Sequence, residues 1–232
     1  MTAILSNLQA TREAIARAAK AAKRNVTEVR LLAVSKTFSA AAVREAFAAG
    51  QNCFGENYVQ EALAKIGELR DLPLEWHFIG PIQSNKTRAI AENFAWVHGV
   101  DRLKIAERLS EQRPSHLPPL NLCLQVNVSG EDSKSGVAPE DVEILAQQVA
   151  RLPHIRLRGL MAIPAPAADE MEQRAPYAQM RALLNKLNAQ GMTLDTLSMG
   201  MSHDYAAAIL EGATIVRIGT AIFGSRDYGE RK

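Results

Sequence analysis

The stretch from residue 30 to residue 56 reads RLLAVSKTFSAAAVREAFAAGQNCFGE. Its first six residues form an apolar run typical of a buried strand, and its last six are predicted to form the next strand. Between them, Ser39 occupies the N-cap position of a helix over 40–49, and Gly50 follows where a left-handed backbone is favoured. Because parallel strands need a helical crossover, this stretch predicts one unit of a parallel α/β fold.

The alternation of strand-like and helical segments continues along the chain. The predicted strands cover 30–35, 51–56, 75–80, 95–100, 120–128, 155–163, 195–200 and 214–223. The predicted helices between them cover 40–49, 57–69, 84–93, 101–112, 139–151, 172–190 and 203–211. Asp101 is a predicted N-cap, Gly191 lies just past a helix end, and a further helix over 11–24 precedes the first strand.

Eight strands that alternate with helices in a chain of 232 residues predict a closed (β/α)8 barrel, a TIM barrel with an extra N-terminal helix. We interpret residues 1–232 as a single domain, because no linker, repeat or low-complexity tract divides the chain. An open, doubly wound parallel sheet is the alternative, since hydrophobic periodicity does not indicate whether the sheet closes.

The composition is that of a soluble globular protein. Hydrophobic residues make up 47% of the chain and charged residues 22%, and the formal net charge is only +2. This balance gives no indication of nucleic-acid binding or of attachment to an anionic membrane. No apolar run approaches the roughly 20 residues that a membrane span needs. The two cysteines, Cys53 and Cys123, lie in apolar runs and predict a cytoplasmic protein without a disulfide framework.

Two basic residues end or interrupt apolar strands. Lys36 follows the first predicted strand, and Arg217 lies inside the apolar run IVRIGTAIF at 215–223. In a barrel, functional groups lie at the carboxyl ends of the strands, and the first and eighth strands are neighbours. An amine and a guanidinium are therefore predicted at one mouth of the barrel. The alternatives are an ordinary surface lysine for Lys36 and a structural ion pair for Arg217.

Two glycine-containing segments follow the last two predicted strands, SMGMS at 198–202 and GT at 219–220. The loops after these strands form the recurrent phosphate site of this architecture. Ser202 is predicted to open a helix, whose first N–H groups are available to an anion. The alternative is that both segments are tight turns that use small residues for their geometry.

Two other residues each have two interpretations. His77, in the third predicted strand, is either a hydrogen-bonded core histidine or a ligand. Lys134, in the segment SKSG at 133–136, is either part of a solvated loop or a second amine on the same rim of the barrel as Lys36. The other histidines have no metal-ligand spacing with a cysteine or carboxylate, so no metal site is predicted.

Seven motifs follow one another along the chain: LLAVSKT, FGENYVQE, WHFIGPIQSNK, VNVSGEDSKSG, RGLMAIP, LSMGMSHDY and VRIGTAIFG. Together they resemble the pyridoxal phosphate homeostasis protein family over about residues 28 to 228. The resemblance implies a barrel of the alanine racemase N-terminal type that holds pyridoxal 5'-phosphate (PLP) as a Schiff base. It implies these cofactor-binding residues: Lys36 for the Schiff base, Asn57 along the ring, Arg217 at the ring nitrogen, Ser202, Gly219 and Thr220 at the phosphate, and Gly200 and Met201 in the turn.

The resemblance also implies an intracellular protein that buffers or delivers PLP and has no defined catalytic activity. An arginine at the ring nitrogen keeps that nitrogen unprotonated, which weakens the ring as an electron sink. The related racemases continue into a second domain that supplies a catalytic tyrosine, so this chain is expected to have an open site. A monomer that makes transient contact with apo PLP enzymes is the implied arrangement.

Two enzymatic alternatives use the same lysine. One is a PLP-dependent amino-acid racemase, and a weak racemase-type activity stays open. The other is a Schiff-base aldolase that acts on a phosphosugar. Arg217 argues against the aldolase, because a sugar has no pyridine nitrogen for the guanidinium to face.

Overall fold

The computed structural model describes residues 2–130, 135–167 and 169–225. Within these residues, eight parallel strands form a closed barrel in the order of the chain. The first strand pairs with the eighth, and the register places Leu32 beside Arg217. The predicted barrel is therefore confirmed, and the open doubly wound sheet is excluded.

The strands are short, and successive side chains point alternately into the barrel and toward the helices. In chain order they are β1 (Arg30–Val34), β2 (Cys53–Glu56), β3 (Glu75–Phe78), β4 (Trp96–Val100), β5 (Leu120–Gln125), β6 (Ile155–Met161), β7 (Thr196–Ser198) and β8 (Ile215–Ile218).

Helices surround the sheet. Those of the described residues are α1 (Ala3–Ala21), α2 (Ala40–Ala48), α3 (Val59–Glu68), α4 (Thr87–Asn93), α5 (Leu103–Gln112), α6 (Val142–Val149), α7 (Glu170–Ala189), α8 (Tyr205–Leu210) and α9 (Thr220–Phe223). None of these helices has the length and apolar character that crossing a membrane requires.

The predicted helix ends are correct in part. Ser39 caps α2 by accepting a hydrogen bond from the Ala42 N–H at 3.3 Å. Gly50 and Gly191 have φ angles of 81° and 92°, the left-handed conformation expected after a helix. The prediction for Asp101 is wrong, because α5 begins one residue later than a cap at that position requires and the Asp101 carboxylate pairs with a neighbouring arginine.

The predicted eighth strand, 214–223, is too long. β8 ends at Ile218, and the rest of the apolar run forms the short helix α9. Ile222 of α9 is fully buried, and its carbonyl accepts a hydrogen bond from Asn7 of α1 at 3.0 Å. The prediction failed because a short apolar run has the same appearance in a buried strand and in a buried helix.

The apolar interior has two layers. The larger lies between the sheet and the helices and includes Phe54, Phe78 and Tyr177. The smaller lies inside the barrel and consists of Leu32, Val34, Cys53, Ile79, Trp96, Cys123, Met161 and Ile215. Strand alternation places further polar side chains on the same inward faces, so the barrel interior is partly polar.

Candidate functional site

The carboxyl ends of the strands open on a cleft of about 210 Å³. Of the residues predicted to bind a cofactor, all except Gly200 line this cleft: Lys36, Asn57, Met201, Ser202, Arg217, Gly219 and Thr220. Its other walls are Val34, Ile79, Ile163 and His203. The barrel thus brings the lysine and the arginine to one mouth, while their roles stay predictions.

Lys36 lies in a turn just after β1 and is half-buried. The next residue, Thr37, has a φ angle of 71°, which is uncommon for a residue other than glycine. The Glu61 carboxylate of α3 accepts a hydrogen bond from the Thr37 N–H at 2.5 Å. On the other side, the Ser35 N–H donates to the Gly55 carbonyl at 3.0 Å. The backbone around Lys36 is therefore fixed by β2 and α3.

A buried ionic cluster lies directly behind this turn. The Lys65 ammonium lies 2.7 Å from the Glu56 carboxylate, 2.7 Å from the Glu61 carboxylate and 2.7 Å from the Ser35 carbonyl oxygen. The Ser35 hydroxyl donates to Glu56 at 2.6 Å. Lys65 is only 5% exposed and Glu56 is fully buried. All three N–H donors of the ammonium are therefore used to hold the loop that carries Lys36.

Sequence reasoning missed this cluster. Glu61 and Lys65 are four residues apart in a helix, which is the ordinary spacing of a solvated surface pair. Burial raises the pKa of Glu56, and the Lys65 ammonium acts in the opposite direction. One feature of the sequence did indicate the cluster. Glu56 ends the buried strand CFGE, and a buried carboxylate requires a cationic partner.

Arg217 lies at the floor of the cleft and is only 4% exposed. One of its nitrogens donates to the Ser198 carbonyl at 2.5 Å and to the Ser198 hydroxyl at 2.9 Å. The other donates to the Ala162 carbonyl at 2.9 Å. These partners are neutral oxygens rather than the carboxylate of the ion-pair alternative. Burial lowers the pKa of Arg217, and Tyr177 and Asp204 act in the opposite direction.

The two predicted phosphate segments lie side by side at the mouth. Gly200 has a φ angle of 91° and is buried under the cleft, where a Cβ would lie 2.6 Å from the Ala208 Cβ. A Cβ on Gly219 would lie 2.9 Å from the Val34 carbonyl oxygen, so only glycine allows the chain just after β8 to approach the end of β1 this closely. These glycines bring the loop backbones to the edge of the cleft.

The prediction that Ser202 opens a helix is wrong. Helix α8 begins at Tyr205, and Ser202 lies in the preceding turn. Asp204 closes this turn, because its carboxylate accepts a hydrogen bond from the Met201 N–H at 2.6 Å. The short polar side chains in SMGMSHDY favour a turn over an earlier helix start.

Asn57 supplies a hydrogen-bond acceptor at the cleft. It lies between β2 and α3 and lines the cleft. Its side-chain oxygen is buried and has no hydrogen-bond partner among the described residues. Buried amide oxygens are nearly always paired, so this oxygen is available to a donor on a molecule bound in the cleft.

The structure distinguishes between the two interpretations of His77 but not between those of Lys134. His77 is fully buried, and its ring nitrogens each lie 2.9 Å from a partner, Glu75 on one side and His98 on the other. It is therefore a hydrogen-bonded core histidine. Lys134 lies outside the described residues, so its role stays a prediction.

Potential metal-ligand atoms meet at the amino end of the barrel. Atoms of Cys53, Glu75 and His77 lie within 4.8 Å of one another, which sequence spacing did not predict. The same Glu75 oxygen already lies 2.7 Å from an Arg30 nitrogen. Burial raises the pKa of the Cys53 thiol to about 12, which disfavours the thiolate that binds metals. The cluster is best explained as an ion pair with neighbouring polar groups.

The two buried histidines predict a pH-dependent stability. Burial lowers the pKa of His77, and burial with the nearby His77 and Arg217 lowers that of His98 well below its usual value. Below about pH 6.5 the unfolded chain binds protons that the folded chain excludes, so stability falls. We expect the free energy of unfolding, measured by urea titration, to decrease by up to about 1.4 kcal/mol per pH unit for each histidine. A constant value between about pH 7.5 and 5.5 would contradict neutral burial.

The residues at the cleft suit a phosphorylated aromatic aldehyde. Lys36 supplies an amine, Val34 and Ile79 supply apolar surface for a ring, and Arg217 supplies a cation that cannot accept a proton. The orphaned Asn57 oxygen is available to a donor on the ligand. The donor set therefore fits PLP, and it contains no acidic side chain that could hold a protonated pyridine nitrogen among the residues that line the cleft.

Comparison with known proteins gives the family. The family model of the alanine racemase N-terminal domain matches residues 7–227. The pyridoxal phosphate homeostasis protein of Pseudomonas aeruginosa is 66% identical over 229 residues, which are 99% of this chain and 98% of the relative. The protein with the same name from Escherichia coli is 52% identical over 234 residues, which cover the full length of both chains.

A solved structure agrees with this assignment. PipY of Synechococcus elongatus, solved with PLP bound, is 41% identical, with a TM-score of 0.83 over 95% of this chain and 100% of PipY. The barrel, the matched length and the identities together place the chain without ambiguity. This protein therefore belongs to the pyridoxal phosphate homeostasis protein family, within the larger family of alanine racemase N-terminal domains.

Proposed function

We propose that this protein is a single-domain barrel that binds PLP at the cleft and takes part in PLP homeostasis. The observation that carries the proposal is the meeting of Lys36, Arg217 and the two glycine-containing loops at one mouth of the barrel. The PLP-bound structure of PipY and the names of the full-length relatives support it.

When it is bound, PLP supplies an aldehyde that reacts reversibly with primary amines. In the proposal, Lys36 is the attaching amine, and the buried ionic cluster keeps its loop in place. Ser202, Gly219 and Thr220 bind the phosphate, with Gly200 and Met201 shaping the turn beneath it. Asn57 and Arg217 fix the orientation of the ring by hydrogen bonding and charge.

The proposal assigns buffering and delivery of PLP rather than a defined reaction. The relatives are named as homeostasis proteins, which supports this assignment over a racemase. A guanidinium at the ring nitrogen favours the unprotonated nitrogen, which withdraws electrons less strongly than a pyridinium. We further propose that the protein acts in the cytoplasm as a monomer and makes transient contact with apo PLP enzymes. Lys134 is a candidate amine for the hand-over.

Titration with PLP tests the proposed binding. We expect the parent protein to develop a visible absorption band and Lys36→Ala to lack it while keeping its fold, because a side chain at a loop contributes little to the core. Lys104→Ala, at an exposed position in α5, is the control and should keep the band. A band of equal strength in Lys36→Ala would contradict the assignment. Reactivation of an apo-enzyme by the loaded protein, compared with free PLP, tests delivery.

A further inference from the structure

A continuous line of hydrogen bonds crosses the inside of the barrel. It begins at Glu75, where the carboxylate lies 2.9 Å from His77 Nε2. His77 Nδ1 lies 2.9 Å from His98 Nε2, and His98 Nδ1 lies 2.7 Å from the Ser198 hydroxyl. The Arg217 guanidinium then donates to that hydroxyl at 2.9 Å.

This line connects the two ends of the barrel. Glu75 lines a cavity of about 460 Å³ on one side, and Arg217 lines the cleft on the other. The contact between His98 of β4 and Ser198 of β7 joins strands that are not neighbours in the sheet, so it passes through the barrel interior. The interior members, His77, His98 and Ser198, are all fully buried. Water therefore does not compete for these contacts in the folded protein.

The chemistry of the two ends, together with the full burial of both imidazoles, favours one direction for the hydrogen bonds. An ionised carboxylate only accepts and a guanidinium only donates. His77 therefore donates from Nε2 to Glu75 and, as a fully buried neutral imidazole, accepts at Nδ1 from His98 Nε2–H. His98 must then accept at Nδ1 from the Ser198 hydroxyl, whose oxygen accepts from Arg217. Both imidazoles are neutral in this arrangement, and every nitrogen has one role.

The surroundings of the line agree with this assignment. The Arg30 guanidinium lies 2.7 Å from Glu75, and the hydrogen bond from His77 lowers the pKa of Glu75 to about 2, which keeps the carboxylate ionised. The Cys53 thiol lies 3.5 Å from the same carboxylate oxygen. Trp96 stacks on the His77 ring with centroids 5.4 Å apart and planes 7° apart, which fixes the ring plane. A neutral, oriented imidazole suits this enclosed position.

We propose that Ser198, His98 and His77 act as positioning residues for Arg217. Their hydrogen bonds all run in one direction, from Arg217 to Glu75, and hold the guanidinium in one orientation at the floor of the cleft. The part of this inference that concerns the bound ring rests on the proposed function. Loss of the line frees Arg217 to move relative to a bound ring, and the electronic environment of that ring then changes.

The first test uses the protein without PLP. A two-bond ¹H–¹⁵N correlation spectrum at about pH 7 reports the protonation state of each histidine, with His77 and His98 assigned from single His→Gln variants. We expect both rings to be neutral and protonated at Nε2. A ring protonated at Nδ1, or a doubly protonated ring, would overturn the proposed direction.

The second test uses the PLP-loaded protein. We expect Ser198→Ala to weaken PLP binding by about tenfold, the effect of one hydrogen bond to a charged group, and to shift the pH dependence of the visible absorption band. Ser110→Ala removes another buried hydroxyl, on α5, and should change neither quantity. A Ser198→Ala band that titrates like that of the parent would overturn the positioning role. If the parent itself forms no band, the proposed function fails, and the histidine spectrum still decides the direction of the line.

Discussion

Lys65→Met is expected to destabilise the barrel by about 3–5 kcal/mol, because it leaves a buried carboxylate without its cation. The ammonium contacts Glu56, Glu61 and the Ser35 carbonyl, each at 2.7 Å. A methionine fills a similar volume but donates no hydrogen bond. Glu56 then has neither a counter-charge nor access to water, since it is fully buried. The same substitution releases the turn that carries Lys36, so PLP attachment is expected to be slower.

Chemical denaturation measures this effect. The double variant Glu56→Gln, Lys65→Met removes both charges and should recover much of the lost free energy, because breaking a buried pair costs more than replacing it. Lys104→Met, on the exposed face of α5, should change stability by less than about 0.5 kcal/mol. A loss below about 1 kcal/mol for Lys65→Met would show that the cluster does not hold the loop.

Gly80→Ala is expected to have the second largest effect, and to act directly on the site. Gly80 follows β3 and packs against the backbone of Asn57, where a Cβ would lie 2.8 Å from the Asn57 Cα and 2.9 Å from its carbonyl carbon. Neither contact is with a flexible side chain, so the Asn57 backbone must move. Overpacking of this kind costs about 1–3 kcal/mol. We also expect weaker PLP binding, because the displaced Asn57 no longer lines the cleft correctly.

A second glycine provides the matched control. Gly67 lies in α3, and a Cβ there would have no neighbour within 4 Å. Gly67→Ala should therefore stabilise the protein by roughly 0.5–1 kcal/mol and leave PLP binding unchanged. Urea unfolding and PLP titration of both variants give the comparison. Unchanged binding in Gly80→Ala would remove Asn57 from the proposed site.

The barrel was predictable from the sequence because its signal is repeated. The unit at 30–56 carries an apolar strand, a capped helix and a turn glycine, and the alternation of strand and helix repeats along the chain, which outweighs errors at single ends. The meeting of Lys36 and Arg217 followed from the rule that strand ends gather at one mouth. The end of β8 and the start of α8 were misplaced because short apolar and polar runs do not determine a helix boundary.

The supporting residues were not predictable from spacing. His98 and Ser198 are 100 positions apart and come from strands that are not adjacent in the sheet. Their contact depends on how the closed barrel brings β4 opposite β7, which hydrophobic periodicity does not encode. Lys65 could not be predicted as the partner of Glu56, because its spacing from Glu61 is that of a pair on the solvated face of a helix. The sequence therefore allows the candidate site residues at the strand ends to be predicted, but not the buried residues that support them.

The central claim is that PLP attaches to Lys36, and chemical trapping tests it most directly. The PLP-loaded protein is reduced with borohydride, which makes the link to an amine permanent, and is then digested and mapped by mass spectrometry. We expect the mass of reduced PLP on the peptide that contains Lys36, and its loss in Lys36→Ala. Label found chiefly on another lysine, in the parent protein at equimolar PLP, would contradict the account.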